Sequence, residues 1–114
     1  IRVRDKHKQC ISCGCLPGDT VQGGKFDAGH YRSRGSASHL RYHLLNCHSQ
    51  CVKCNRYLSG NVVEYRKGLI ARIGAERVEK LEMDNNPRKL TIDYLKRVKK
   101  IFNYRKRIYE RKFR

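Results

Sequence analysis

The pattern of apolar and polar positions changes character near residue 61. Beyond Asn61 the period is helical: Val62, Tyr65, Leu69, Ile70 and Ile73 mark one apolar face, Gly74 interrupts it, and Val78 and Leu81 continue it in a following helix. The stretch "DNNP" at 84–87 reads as a loop. Thr91 is a good N-cap and Asp93 suits the positive end of a helix dipole, so Ile92, Leu95, Val98, Phe102 and Tyr109 predict a long helix running nearly to the end. Before residue 61 the signals are shorter. "KFDAGHYRS" alternates in part and predicts a strand, "GSASH" a loop, and "LRYHLLNCHSQ" a second extended piece. A helix is expected from Cys51 to about Tyr57, while 10–24, with Pro17, Gly18, Gly23 and Gly24, reads as a knuckle followed by turns.

Length and charge narrow the class. A chain of 114 residues suits one small domain, with a core over 1–61 and a helical extension over 62–114 in the same compact unit. Lys and Arg number 27 against 10 Asp and Glu, a formal charge of +17, and a polyanionic partner is the ordinary reason to tolerate such self-repulsion. Residues 96–114 carry ten Lys or Arg and one acid, Glu110, too one-signed for simple pairing along a helix. Lys96, Lys99, Lys100, Arg105, Lys106 and Arg107 are therefore expected on phosphates, in binding that weakens steeply with salt. No apolar run approaches the roughly 18 residues of a spanning helix, so no membrane partner is expected.

Six cysteines suggest either disulfides or a metal, and their spacing favours the metal. Cys10-Ile-Ser-Cys13 and Cys51-Val-Lys-Cys54 are two C-x-x-C pairs, each able to aim two thiolates at one tetrahedral Zn²⁺. Cys47 reads as a small buried hydrophobe; Cys15 does too, unless it competes with Cys13 as a ligand.

Between the pairs lie residues that a plain zinc knuckle does not need. His30, Asn46 and "CVKCN", ending at Asn55, resemble the H…N…C-x-x-C-[HN] order of the HNH family of ββα-metal nucleases. More extensively, "DAGHYRSRG", "LRYHLLNCHSQCVKCNRYLSGN" and "VVEYRKGLIARIG" look like the NinG, or Rap, family of phage recombination endonucleases, over nearly the whole chain. The resemblance implies an α+β fold: a small zinc-stapled ββα-metal core, His-Me finger-like, followed by C-terminal helices. It also implies a structure-selective, metal-dependent endonuclease that cuts branched DNA such as Holliday junctions and displacement loops, working in the cytoplasm of a bacterial host.

Chemistry assigns provisional roles within that resemblance. Phosphodiester hydrolysis needs an activated water and a Lewis acid on the developing alkoxide. His30 is expected as the base, with Asn46 orienting it or bracing its loop, and Asp27 and Asn55 as oxygen ligands of a catalytic Mg²⁺ or Mn²⁺. The family's acidic residue directly before the base is Gly29 here, so Asp27 must reach across from three residues back, or else pair with Arg32 or Arg34 as a structural carboxylate. Alternatively His30 itself binds the ion and His48 acts on the water; on an extended segment His48 would face the same side as Asn46. Arg32 and Arg34 beside the base, with Arg41, Lys53 and Arg56, are expected on DNA. Cutting a four-way junction symmetrically calls for a homodimer, and no small-molecule cofactor is expected. The competing readings are a non-catalytic zinc-knuckle protein that binds nucleic acid and a basic ribosome-associated zinc protein.

Overall fold

The computed structural model describes residues 1–18 and 26–113. The turns expected at Gly23 and Gly24 lie outside them. Strands β1 (Phe26–His30) and β2 (Cys47–Cys51) pair antiparallel, with Asp27 opposite Gln50, Gly29 opposite His48 and His30 opposite Cys47. Opposed residues share a face of the sheet, so Asp27, Gly29, His48 and Gln50 lie on one side and His30 on the other. Gly29, where the HNH resemblance leads one to expect an acid, is closed by packing. A Cβ there would stand 2.0 Å from Oε1 of Gln50, whose Nε2 donates to the Ser12 hydroxyl at 2.9 Å and the Gly60 carbonyl at 2.6 Å.

Every residue of β2 is buried, because the chain's first residues cover the edge that β1 does not. The Ser49 amide donates to Oδ2 of Asp5 at 3.0 Å, and the Ser49 carbonyl accepts the Ile11 amide at 3.1 Å. Arg4 holds Asp5 and also donates to the carbonyls of Leu44 and Cys47, at 2.9 and 2.8 Å. Residues 4–11 thus satisfy backbone groups that an open strand edge would leave unpaired.

Two expectations before residue 61 need correction. The second extended piece begins only at Cys47, because 3-10 turns at Ser38–Leu40 and Leu44–Asn46 precede it. His43 caps the second of these turns, its Nδ1 accepting the Leu45 amide at 3.2 Å. Asn46 therefore ends a turn rather than sharing a strand face with His48. The expected helix after Cys51 is a single π-helical turn, Lys53–Tyr57, and the left-handed Asn61 (φ 42°) then starts α1.

Helices α1 (Val62–Ile73) and α2 (Ala75–Met83) meet at Gly74, whose φ of +93° ends one and starts the other where the apolar period breaks. Tyr65, Leu69, Val78 and Leu81 pack with Ile11, Tyr31, Ala37 and Leu40, so one core is drawn from both sides of residue 61. The Tyr31 hydroxyl donates to Glu82 at 2.6 Å, and Arg66 holds the same carboxylate at 3.0 Å. Gly68 lets α1 lie against the cysteine loop: a Cβ there would come within 1.8 Å of the Ile11 carbonyl oxygen. Gly68→Ala should therefore destabilise by about 1–3 kcal/mol despite its better helix propensity. A thermal midpoint unchanged or raised in that variant would show that the loop yields freely.

Helix α3 (Ile92–Lys112) starts at Thr91, whose hydroxyl accepts the Tyr94 amide at 3.1 Å. Its stripe is less deeply packed than the periodicity suggests. Leu95, Val98, Phe102 and Tyr109 are half-buried, none fully, and Phe102 and Tyr109 line a groove with Ile1, Val3 and Leu44. Ile92, Ile101, Tyr104 and Ile108 are exposed.

Candidate functional site

The cysteine loop folds back on itself at Gly14 (φ +79°), where the Gly14 amide donates to the Cys10 carbonyl and the Cys10 amide to the Cys15 carbonyl, at 3.0 and 2.8 Å. This places the sulfurs of Cys10, Cys13, Cys15 and Cys51 all within 4.8 Å of one another. Four such donors can hold a metal ion such as zinc. Cys15, read as a bystander in the sequence, belongs to this group; the signal for it was the C-G-C turn itself. Cys54 packs beside Cys10 and Cys51, its amide donating to the Cys51 sulfur at 3.4 Å while Asn61 donates to its own sulfur at 3.4 Å. The Cys51 amide likewise donates to the Cys10 sulfur at 3.3 Å. Such bonds favour thiolates, as a metal site requires. Burial pushes the Cys51 and Cys54 thiols up to about 12, whereas at Cys13 burial is outweighed by the Cys15 amide and neighbouring sulfurs, which bring it down to about 7. A bound dication reverses the effect of burial on all of them. None of the six cysteines is disulfide-bonded.

Directly after Cys54, the π-helical turn delivers Asn55 and Arg56 to β1. Nδ2 of Asn55 donates to Oδ2 of Asp27 at 2.9 Å, and Arg56 grips both carboxylate oxygens of Asp27 at 3.0 Å. Burial would raise the Asp27 carboxyl, but the Arg56 and Asn55 hydrogen bonds prevail and lower it. These residues line an open cavity of about 540 Å³ with Arg2, His30, Arg34 and Ser33. Asp27 and His30 lie on opposite faces of the hairpin, yet both line the cavity.

His30 is held in one tautomer. Its Nε2 lies 2.9 Å from the Arg41 carbonyl oxygen, which can only accept, so Nε2 carries a proton and, in the neutral ring, Nδ1 is the acceptor. Behind it, the fully buried Asn46 accepts the Arg32 amide at 2.9 Å and donates to the carbonyls of Arg32 and Leu40, at 3.1 and 3.2 Å. Its own carbonyl takes the Tyr31 amide at 2.8 Å. Asn46 therefore bolts down the backbone that follows His30 and does not itself line the cavity.

His48 is not brought to the cavity. It is buried edge-on against the Tyr65 ring, and burial lowers its imidazole to about 3. Asp5 is also perturbed: burial would raise it, but bonds from Arg4 and the Ser49 amide bring it down to about 2. Both groups bind fewer protons folded than unfolded, so their contribution to stability is fully present above pH 6.5. It falls as pH drops toward 3 on account of His48, and further between 3.8 and 2 on account of Asp5. Urea midpoints should decline from pH 6.5 to 5 in the parent and decline less in His48→Leu, with metal content followed in both. Equal slopes would relieve His48 of that role.

The predicted DNA-contacting cations fall into separate groups. Arg34 and Arg56 line the cavity, whereas Lys53 and Arg41 are exposed and do not, Arg41 lying over the Tyr42 ring. Arg32 is committed elsewhere: it donates to the carbonyls of Leu81 and Asp84, at 2.9 and 2.6 Å, and to Asn85, closing the end of α2. Lys96, Lys99, Lys100, Arg105, Lys106 and Arg107 are all exposed on α3, where Lys106 pairs with Glu110 at 3.7 Å.

Among the described residues, no helix is long and apolar enough to cross a membrane. No solved structure matches the chain. Over 99 residues, 87% of this chain, it is 46% identical to protein ninG of Escherichia phage lambda. The same share is 43% identical to the ninG proteins of Escherichia phage 933W and Salmonella phage P22. The aligned part covers 46% or 47% of those relatives, so the chain spans about half the length of the curated relatives it matches. A family model described as bacteriophage lambda NinG protein matches residues 1–112, and the chain belongs to the NinG family.

Proposed function

We propose that this chain is the nuclease core of a metal-dependent endonuclease that cuts branched DNA during phage recombination in the host cytoplasm, on a zinc-stapled ββα-metal scaffold. The observation that carries the reading is the convergence of Asp27, Asn55 and His30 on one cavity, with the Asp27 and Asn55 side chains 2.9 Å apart and His30 Nε2 pinned to a carbonyl. A carboxylate and an amide oxygen are hard donors that suit Mg²⁺ or Mn²⁺, and Asp27 already sits opposite a cation, the Arg56 guanidinium. An ion held there would neutralise charge on the scissile phosphate and its leaving oxygen. His30 would draw the proton from the attacking water through Nδ1, while Asn46 keeps its loop in place. For Asn55 to act as ligand, its carboxamide must present its oxygen to the ion in place of the nitrogen that now donates to Asp27.

Arg34, Lys53 and the basic face of α3 would hold flanking phosphates without reading bases, leaving selectivity to DNA shape. Two active sites on a homodimer would serve a four-way junction, and the exposed line Ile101, Tyr104 and Ile108 is available for that contact. The test is cleavage of a labelled four-way junction and its matched duplex in Mg²⁺, Mn²⁺ or EDTA, by the parent and by Asp27→Asn, with sedimentation of the protein alone and with DNA. Junction cutting that needs metal and Asp27 is expected, from a dimer. Tight binding without cutting in any metal would favour a non-catalytic zinc module, and monomers throughout would remove the symmetric arrangement.

A further inference from the structure

The charges around Asp27 raise a problem that the nuclease reading does not address. Among the described residues, the cavity wall carries one carboxylate, Asp27, and three guanidinium side chains, Arg2, Arg34 and Arg56. A dication entering that wall meets net positive charge, and the one carboxylate it needs is already held at both oxygens by Arg56. A phosphodiester meets the opposite situation: three guanidinium groups attract it, and only one acid repels it.

From this arrangement we infer that Arg56 is a gate that makes metal binding at Asp27 depend on nucleic acid, with the DNA phosphate drawing Arg56 off the carboxylate. This rests on reading the cavity as a metal-dependent nuclease site. The two partners differ in freedom. The Arg56 side chain is 63% exposed and the Asp27 side chain 12%, so the guanidinium can swing outward while the carboxylate stays on β1. The pivot is close, since Arg56 directly follows Asn55 on the turn anchored by Cys54. When a phosphate takes the guanidinium, the carboxylate loses its counter-ion and the wall gains negative charge, and both changes favour a dication. By linkage, a bound dication must tighten DNA binding by the same factor. Arg56 thus acts as a positioning residue that keeps Asp27 occupied until substrate arrives, which would suppress metal loading on protein that holds no DNA.

The experiment measures Mn²⁺ binding by the electron paramagnetic resonance of the free ion, on protein whose cysteine cluster is loaded with zinc. It uses His30→Ala, checked on gels to leave the junction intact, alone and combined with Arg56→Gln or with Asp27→Asn, each with and without a four-way junction. Without DNA, Arg56→Gln should tighten Mn²⁺ binding by about tenfold or more, the scale set by removing one like charge near a dication. The junction should tighten binding by a similar factor in the Arg56-containing protein and by much less in Arg56→Gln. Mn²⁺ binding that depends on Asp27 but is unaffected by Arg56→Gln, or that responds to DNA equally with and without Arg56, overturns the gate and leaves the nuclease reading standing. Binding that ignores Asp27→Asn, with and without DNA, overturns both.

Discussion

Cys51→Ser should yield a chain that holds no zinc and shows no cooperative thermal transition. Cys51 is the hub of the cluster: its sulfur lies 3.8 Å from that of Cys13 and accepts the Cys54 amide, and its own amide donates to Cys10. It also ends β2, so the cluster ties the hairpin, the cysteine loop and the π-helical turn together. Structural zinc with thiolate ligands contributes on the order of 10 kcal/mol, comparable to the whole stability of a small domain at about 5–15 kcal/mol. The core here has few large residues, so little remains once that contribution is lost. Zinc content by elemental analysis, far-ultraviolet circular dichroism and melting would be read together, on the variant and on parent stripped by a strong chelator. A cooperative melt in either would show that packing alone holds the fold. The comparison of Cys15→Ser with Cys54→Ser identifies which of these sulfurs completes the tetrahedron, since only the ligand's loss should release zinc. Cys47→Ala should keep the metal, because Cys47 stands outside the group.

His30→Ala should lose junction cleavage by about 10²–10⁴-fold, the usual contribution of a positioned general base, while binding and zinc content persist. The side chain is half-buried, is bonded to the Arg41 carbonyl and lies outside the hydrophobic core cluster, so its removal should leave the core intact. Added imidazole should restore part of the rate in the alanine variant, a response that a structural histidine would not give. Cleavage within a few-fold of the parent would remove His30 from the chemistry. His48→Leu is the useful contrast, since it should alter acid stability and leave the rate nearly unchanged.

The elements that the sequence predicted well are those with local causes. Gly74 breaks the apolar period between α1 and α2, and Thr91 starts α3, because each signal acts within one helical turn. What was hidden depends on distant partners. Nothing near residue 43 shows that His43 caps a turn, and nothing in "IRVRD" announces that Arg4 and Asp5 complete the edge of a strand more than forty residues away. At the site, Asp27 and Asn55 were expected as neighbouring oxygen ligands, and the hydrogen bond that joins them was not. The grip of Arg56 on Asp27 and the commitment of Arg32 to the end of α2 were not, because an arginine's partner is a tertiary matter that a basic sequence leaves open. The same limit applies to His48, whose fate was decided by Tyr65 on α1.

Gln50 over Gly29 has an evolutionary consequence. Relocating the acid from position 27 to 29 takes two changes, a carboxylate at 29 and a smaller residue at 50. Made first, the change at 29 collides with Gln50; made first, the change at 50 releases Ser12 and Gly60 beside the cysteine loop. Either order passes through a weakened intermediate, so this chain has no single-step route to a carboxylate directly beside His30.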